Sequence, residues 1–312
     1  MTATWGLVAT IKTDPQEAQR FAAWHLSLGA AHLWVFVDDA DPATIAALRH
    51  PAITVTATDA AFWAGRRPGK HQVRQAANAT RAAVLAHNLD WLAHIDVDEF
   101  LLPDTQTVAQ TLGALPPEAS CARIRPAEAL ADAGAADAGE TLFKAFHIDP
   151  ARRRAAGRAC FGPWGDLVSG GMLSHVAGKL FVRPAAGAWD WRIHNAWCDG
   201  AENPGVVELD TLPLGHFHAP SWSAFDAKLR FRLNRGSYRS DLKPSIRSGD
   251  APNLNTVLTR IADTEGTDGL RRFYDALNTA TPTLVSALAG QGLLLRRVMD
   301  LDAHVARHFT PH

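Results

Sequence analysis

Within the first hundred residues, short apolar runs alternate with segments of helical pattern. "WGLVATI" (5–11), "HLWVFVDD" (32–39), "AITVTAT" (52–58) and "WLAHID" (91–96) read as strands. Between them, "PQEAQRFAAWHLSLG" (15–29) ends in glycine as helices often do. "DPATIAALRH" opens with Asp41 as N-cap and Pro42 at the first helical position. "KHQVRQAANATRAAVLAHN" (70–88) is helical by propensity. Strand-helix-strand repetition argues for an α/β domain with a parallel sheet, and such sheets bind ligands beyond the carboxyl ends of their strands. Three of those ends carry polar residues: Lys12 with Asp14, Asp38 with Asp39, and Asp96 with Asp98.

The fourth strand runs into "WLAHIDVDEFLLP" (91–103), where Asp96, Asp98 and Glu99 crowd together. In an extended segment Asp96 and Asp98 face the same way, with Val97 and Glu99 opposed. Two carboxylates at close range repel unless a cation sits between them. A hard divalent ion, Mg²⁺ or Mn²⁺, takes oxygen ligands and commonly shares them with substrate phosphates. A solvated turn followed by a cap is the bland alternative. The strand leading into the motif favours metal binding over it.

The bulk numbers narrow the class. With 312 residues, 47% of them hydrophobic and 20% charged, the chain suits a globular protein of one large domain or two ordinary ones. A net charge of -1 gives no global argument for a nucleic-acid partner. Three cysteines, Cys121, Cys160 and Cys198, show no CxxC and suit reduced thiols. No signal peptide and no run of about 18 apolar residues is seen, so the expected location is cytoplasmic. "SALAGQGLLLRRVMDL" is amphipathic and short, leaving peripheral contact with an inner membrane open. The oligomeric state is not legible.

Later segments are less regular. "AEALADAGAADAGE" (127–140) reads as a loop, and "DPARRRAAGRACFGPWGD" (149–166) as a basic loop that either meets an acidic glycan or lipid phosphate or is simply solvated. "GKLFVRP" (178–184) and "VVELDTLPLGHFH" (206–218) read as strands. Residues 223–235 form an amphipathic helix with Phe225, Leu229 and Leu233 on one stripe and Lys228, Arg232 and Arg235 beside it. Beyond it the chain reads as mostly helical. In "HFH", His216 and His218 share a face and suit a metal. His94 reads as a satisfied core histidine.

"WLAHIDVDEFLLP" resembles the DXD segment of family-2-like GT-A glycosyltransferases, in the D-x-D-E-F group related to family 92. "LVATIKTDPQEAQRFAAWHLSLGAAHLWVFVDDADPAT", "KHQVRQAANATRAAV" and "GHFHAPSWSAFDAKLRFRLNRGSY" resemble further segments of that group in the same order. The likeness covers most of 5–104 and 214–238. It implies a GT-A, Rossmann-like fold: a mixed, mainly parallel sheet flanked by helices. A glycosyltransferase domain would span 1–238, with its donor half at about 1–104 and its acceptor half at about 105–238. A helical extension would span 239–312.

The resemblance also implies an activity. A sugar would pass from a UDP-sugar to a glycan or glycolipid acceptor, with inversion, assisted by Mn²⁺ or Mg²⁺. Asp98 would bind the ion, Asp96 would share it or contact ribose, and His216 would be the third protein ligand, with His218 its rival. Thr10, Lys12 and Asp39 would hold base and ribose. Gln72, Arg74, Gln75 and Asn78 line the donor site or merely a surface helix, and Lys228 or Arg235 would reach the diphosphate. Inversion needs a general base. Asp166 is the first candidate, with Glu128, Asp199 and Glu202 also possible, and Trp164, Trp189 and Trp191 nearby as sugar-stacking rings. Lys179 faces the acceptor or pyrophosphate, or lies at a strand edge. Two rivals stand beside this reading: another metal-dependent phosphate enzyme, such as a nucleotidyltransferase or phosphohydrolase, and an inactive nucleotide- or glycan-binding protein.

Overall fold

The computed structural model describes residues 2–234 and 254–309. These group into two compact units, one within 1–125, 178–214 and 300–312, the other within 126–177 and 215–299. The boundary expected at 238/239 lies outside the described residues.

The first unit is built on a seven-stranded sheet. Its four leading strands are β1 (Trp5–Ile11), β2 (His32–Val37), β3 (Ile53–Ala57) and β4 (Trp91–His94). The pairings β4–β1, β1–β2 and β2–β3 are all parallel, as the alternating pattern predicts. Beyond β4 the sheet turns mixed. Lys179–Val182 runs antiparallel between β4 and Cys121–Ile124, and Val207–Glu208 closes the edge. β1 and β4 are buried along their whole length, which is why they read as unbroken apolar runs.

The connecting helices start where the sequence says they should. α1 (Pro15–Ser27) is capped by the Asp14 side chain, which accepts the Glu17 amide at 3.0 Å. α2 (Pro42–Ala47) is capped by Asp41, which accepts the Thr44 amide at 2.8 Å. Proline at the first position of both helices gives up an amide that would have no partner in the helix. α3 (His71–Leu85) lays Ala76, Ala79, Ala82 and Ala83 onto the core. The C-terminal helix Leu301–Phe309 packs on α1, where Arg20 pairs with Asp302 at 2.8 Å.

The second unit has an antiparallel sheet in which Glu140–Lys144 pairs with both Leu294–Val298 and Pro126–Ala129. Helices Pro150–Phe161, Leu254–Asn278 and Pro282–Gly290 pack around Leu258, Phe273, Tyr274 and Leu277. Two loop expectations are corrected here. The loop expected over 127–140 is confined to 133–139, and its start belongs to the fully buried strand Pro126–Ala129, because sheet pairing overrides a composition biased toward small residues. The basic segment is a helix from Pro150 to Phe161, capped by Asp149 on the Arg152 amide at 2.8 Å. No helix among the described residues is long and apolar enough to cross a membrane.

Candidate functional site

Three residues of α3 reach three different strand ends, and this places the site. Arg74 holds Asp38, just past β2, with two bonds of 2.7 and 2.6 Å. Asn78 donates to the Thr10 hydroxyl on β1 at 3.0 Å. Gln75 donates to Asp96 Oδ1, beyond β4, at 2.5 Å. Positions 74 and 78, and 75 and 78, are one helical turn apart, so a single face of α3 serves all three. Both Asn78 and Thr10 are buried, and Asn78 Oδ1 is a buried acceptor with no protein partner.

Of the two acids after β2, the structure selects the first. Asp38 is buried and also meets Arg67 at 3.2 Å and His71 at 3.6 Å, whereas Asp39 is exposed. Burial alone would raise the Asp38 pKa, but Arg74, Arg67 and His71 together hold it below the ordinary carboxylate value. Arg74 also donates to the carbonyls of Pro68 and Gly69, so it clamps the loop before α3. Lys12 is exposed just beyond β1. The sequence could not separate Asp38 from Asp39, because a strand buried on both faces offers no alternation to set the phase.

The acidic segment is not extended. The Glu99 amide bonds to the Asp96 carbonyl at 3.0 Å and the Asp96 amide to Glu99 Oε2 at 2.8 Å, so 96–99 is a closed turn. The alternation argument for Asp96 and Asp98 therefore does not apply. The cation that relieves Asp96 is Lys179, whose Nζ lies 2.8 Å from Asp96 Oδ2 and 3.6 Å from Glu99 Oε2. Lys179 has no solvent exposure. Burial pulls its pKa down, but Asp96, Glu99 and Asp98 outweigh that and hold it above the ordinary lysine value. Asp98 is half-buried at the third position of the turn.

His94, two residues upstream of the turn, is buried with neither ring nitrogen bonded, so it is a core histidine but not a satisfied one. Burial and Lys179 push its pKa down to about 3, keeping the ring neutral.

Later segments of the chain carry the remaining candidates. His216, in the second unit, is buried, with His175 and His218 rings at 5.9 and 5.0 Å. His175 was not legible in sequence, since a lone histidine in a Gly- and Ser-rich stretch carries no spacing signal. Lys228 donates to the His218 carbonyl at 3.2 Å. The side chains of Arg232 and Arg235 lie outside the described residues. Asp166 is half exposed and bound to Arg158 at 2.7 Å. Glu128 is fully buried, accepts the Leu173 and Ser174 amides, and lies 3.2 Å from Lys144. Glu202 is exposed and bound by Asn195 at 2.7 Å. Trp164 packs edge-on against Phe273. The expected sugar-stacking role of Trp189 and Trp191 is corrected: at 7% and 1% exposure both rings belong to the sheet core.

No known family model matches the chain, and no curated protein does. Solved structures give low-scoring similarities, among them two transferases. One is a mannosyltransferase from Pyrobaculum calidifontis in complex with GDP-Man and Mn²⁺ (14% identity, TM-score 0.36, 94% of this chain and 80% of that one). The other is mouse xyloside xylosyltransferase 1 in its apo form (13% identity, TM-score 0.27, 59% and 68%).

Proposed function

We propose that this protein is a metal-assisted glycosyltransferase that takes a sugar from a UDP-sugar and passes it to a glycan or glycolipid acceptor. The observation that carries the proposal is the convergence of Thr10, Asp38 and Asp96 at the carboxyl ends of parallel strands, each gripped by one face of α3. That is where open α/β sheets bind ligands. The resemblance of 91–103 to a DXD segment supplies the chemistry.

The acidic turn suits a hard cation. Three carboxylates, Asp96, Asp98 and Glu99, fall within four residues, with the Lys179 ammonium against Asp96 and Glu99. Asp96 accepts from Gln75 through Oδ1 and from Lys179 through Oδ2, which fixes the plane of its carboxylate. In this reading Asp98 and Asp96 hold Mn²⁺ or Mg²⁺, with His216 proposed as third ligand on the sequence resemblance alone. When bound, the ion supplies Lewis-acid neutralisation of the departing diphosphate.

The chain's own residues do the rest. Lys179 and Gln75 lock the orientation of Asp96. Asn78 and Thr10, with Asp39 and Lys12 at the rim, are the proposed base and ribose contacts, and Arg74 acts on the donor pocket by holding Asp38. Lys228 is the proposed diphosphate contact. Asp166 is the proposed base for an inverting transfer, a role that requires it to release Arg158.

Calorimetric titration of UDP, with and without Mn²⁺, into wild type and Asp98→Asn tests the reading. Mn²⁺-dependent binding that disappears in D98N is the expected result. Binding indifferent to ion and mutation would remove the acids from the metal site, and no UDP binding under any condition would end the UDP-sugar assignment.

A further inference from the structure

Residues 189–202 fold into a small antiparallel sheet, Trp189–Trp191, Ala196–Cys198 and Ala201–Glu202. Its alternation is strict. Trp189, Trp191, Ala196 and Cys198 point into the core, and the register sets Asp190 opposite Trp197 and Trp197 opposite Glu202 on the other face. Trp197 is therefore the one tryptophan of this sheet that the core does not use, and it is half-buried between two exposed acids.

The surroundings of Trp197 form a cleft of about 350 Å³ lined by Ala188, Asp190, Arg192, Trp197, Asp199 and Gly200. Arg192 lies 5.5 Å from the ring centroid and pairs with Asp190 at 2.7 Å. Asp199 (φ 50°) and Gly200 (φ 85°) form the tight turn between Cys198 and Ala201, where an Asp-Gly pair takes positive φ at both positions without strain, and Asp199 lines the cleft. The Asp199 carboxylate passes so close to Gly187 that any Cβ there would come within 2.6 Å of it.

We infer that this cleft is a subsite for a neutral sugar residue of a glycan. A pyranose presents an apolar C–H face, which suits the Trp197 ring, and a rim of hydroxyls. Asp190 and Asp199 accept from hydroxyls and Arg192 donates to them. An anion does not fit, because Asp190, Asp199 and Glu202 outnumber Arg192, and Arg192 is already paired. The assignment stands on these residues and not on the donor chemistry proposed above.

Saturation-transfer NMR on the full chain tests it, using methyl glycosides of glucose, galactose, mannose and N-acetylglucosamine at millimolar concentration. Transfer to the ring protons of at least one glycoside is expected in wild type. Trp197→Ala should abolish it, and Asp199→Asn should weaken affinity about tenfold, equivalent to about 1.4 kcal/mol. Far-UV circular dichroism on the same samples reports that each variant is folded, and the UDP titration with Mn²⁺ separates the two readings. Sugar transfer without UDP binding leaves the subsite standing and removes only the donor assignment. No transfer from any glycoside, or transfer unchanged in W197A, overturns the subsite, as does a W197A-sensitive response to choline in place of the sugars.

Discussion

Lys179 places its ammonium 2.8 Å from the Asp96 carboxylate without any access to solvent. A buried cation therefore sits permanently under the acidic turn. Removing one member of a buried ion pair leaves an uncompensated charge, typically at a cost of about 3–5 kcal/mol. Asp96 retains some exposure, so the lower part of that range applies. Lys179→Met should lower the urea midpoint accordingly, and Glu99→Gln added to K179M should restore part of the loss. An unchanged midpoint in K179M would show that the pair contributes nothing to the fold.

Arg74 ties Asp38 to the carbonyls of Pro68 and Gly69, so it secures the loop that carries the trypsin sites Arg66 and Lys70. Arg74→Ala should make that loop cleave several-fold faster with trypsin while far-UV dichroism stays close to wild type. Equal cleavage rates in the two proteins would contradict the clamp.

His25 is fully buried. Its Nδ1 lies 2.8 Å from the Phe21 carbonyl and its Nε2 accepts the Leu101 amide at 3.3 Å. Nε2 can accept only in the neutral ring, so Nδ1 carries the proton. Burial, against the Phe21 bond, pushes the pKa down to about 3 from 6.5. The unfolded chain binds the proton first. His25 therefore leaves stability intact above about pH 6.5 and removes it as pH falls from there toward 3, at about 1.4 kcal/mol per pH unit. Chemical denaturation between pH 7 and 5 should show a shallower loss in His25→Gln than in wild type. Parallel curves would refute the assignment.

Gly6 sits in β1 where a Cβ would come within 2.6 Å of the His32 carbonyl and 2.7 Å of Leu89. Gly6→Ala should destabilise the domain by about 1–3 kcal/mol through overpacking. Thermal unfolding would measure it, and a midpoint equal to wild type would mean the two strands separate freely.

The α/β architecture was legible in the sequence because it is written locally. Apolar runs, proline after an aspartate cap and glycine after a helix each act within a few residues, and the parallel pairing of β1, β2, β3 and β4 follows from the helices between them. The acidic end of β4 was also visible as an anomaly in an apolar run. Its partners were not. Lys179 comes from a strand 83 positions away, and only sheet pairing with β4 brings it beneath Asp96. The choice of Asp38 over Asp39, the burial of Trp189 and Trp191 and the outward turn of Trp197 are decided the same way. A period of two says that neighbours point apart, but which face is the inside is set by what packs there, and those residues lie far off in the chain.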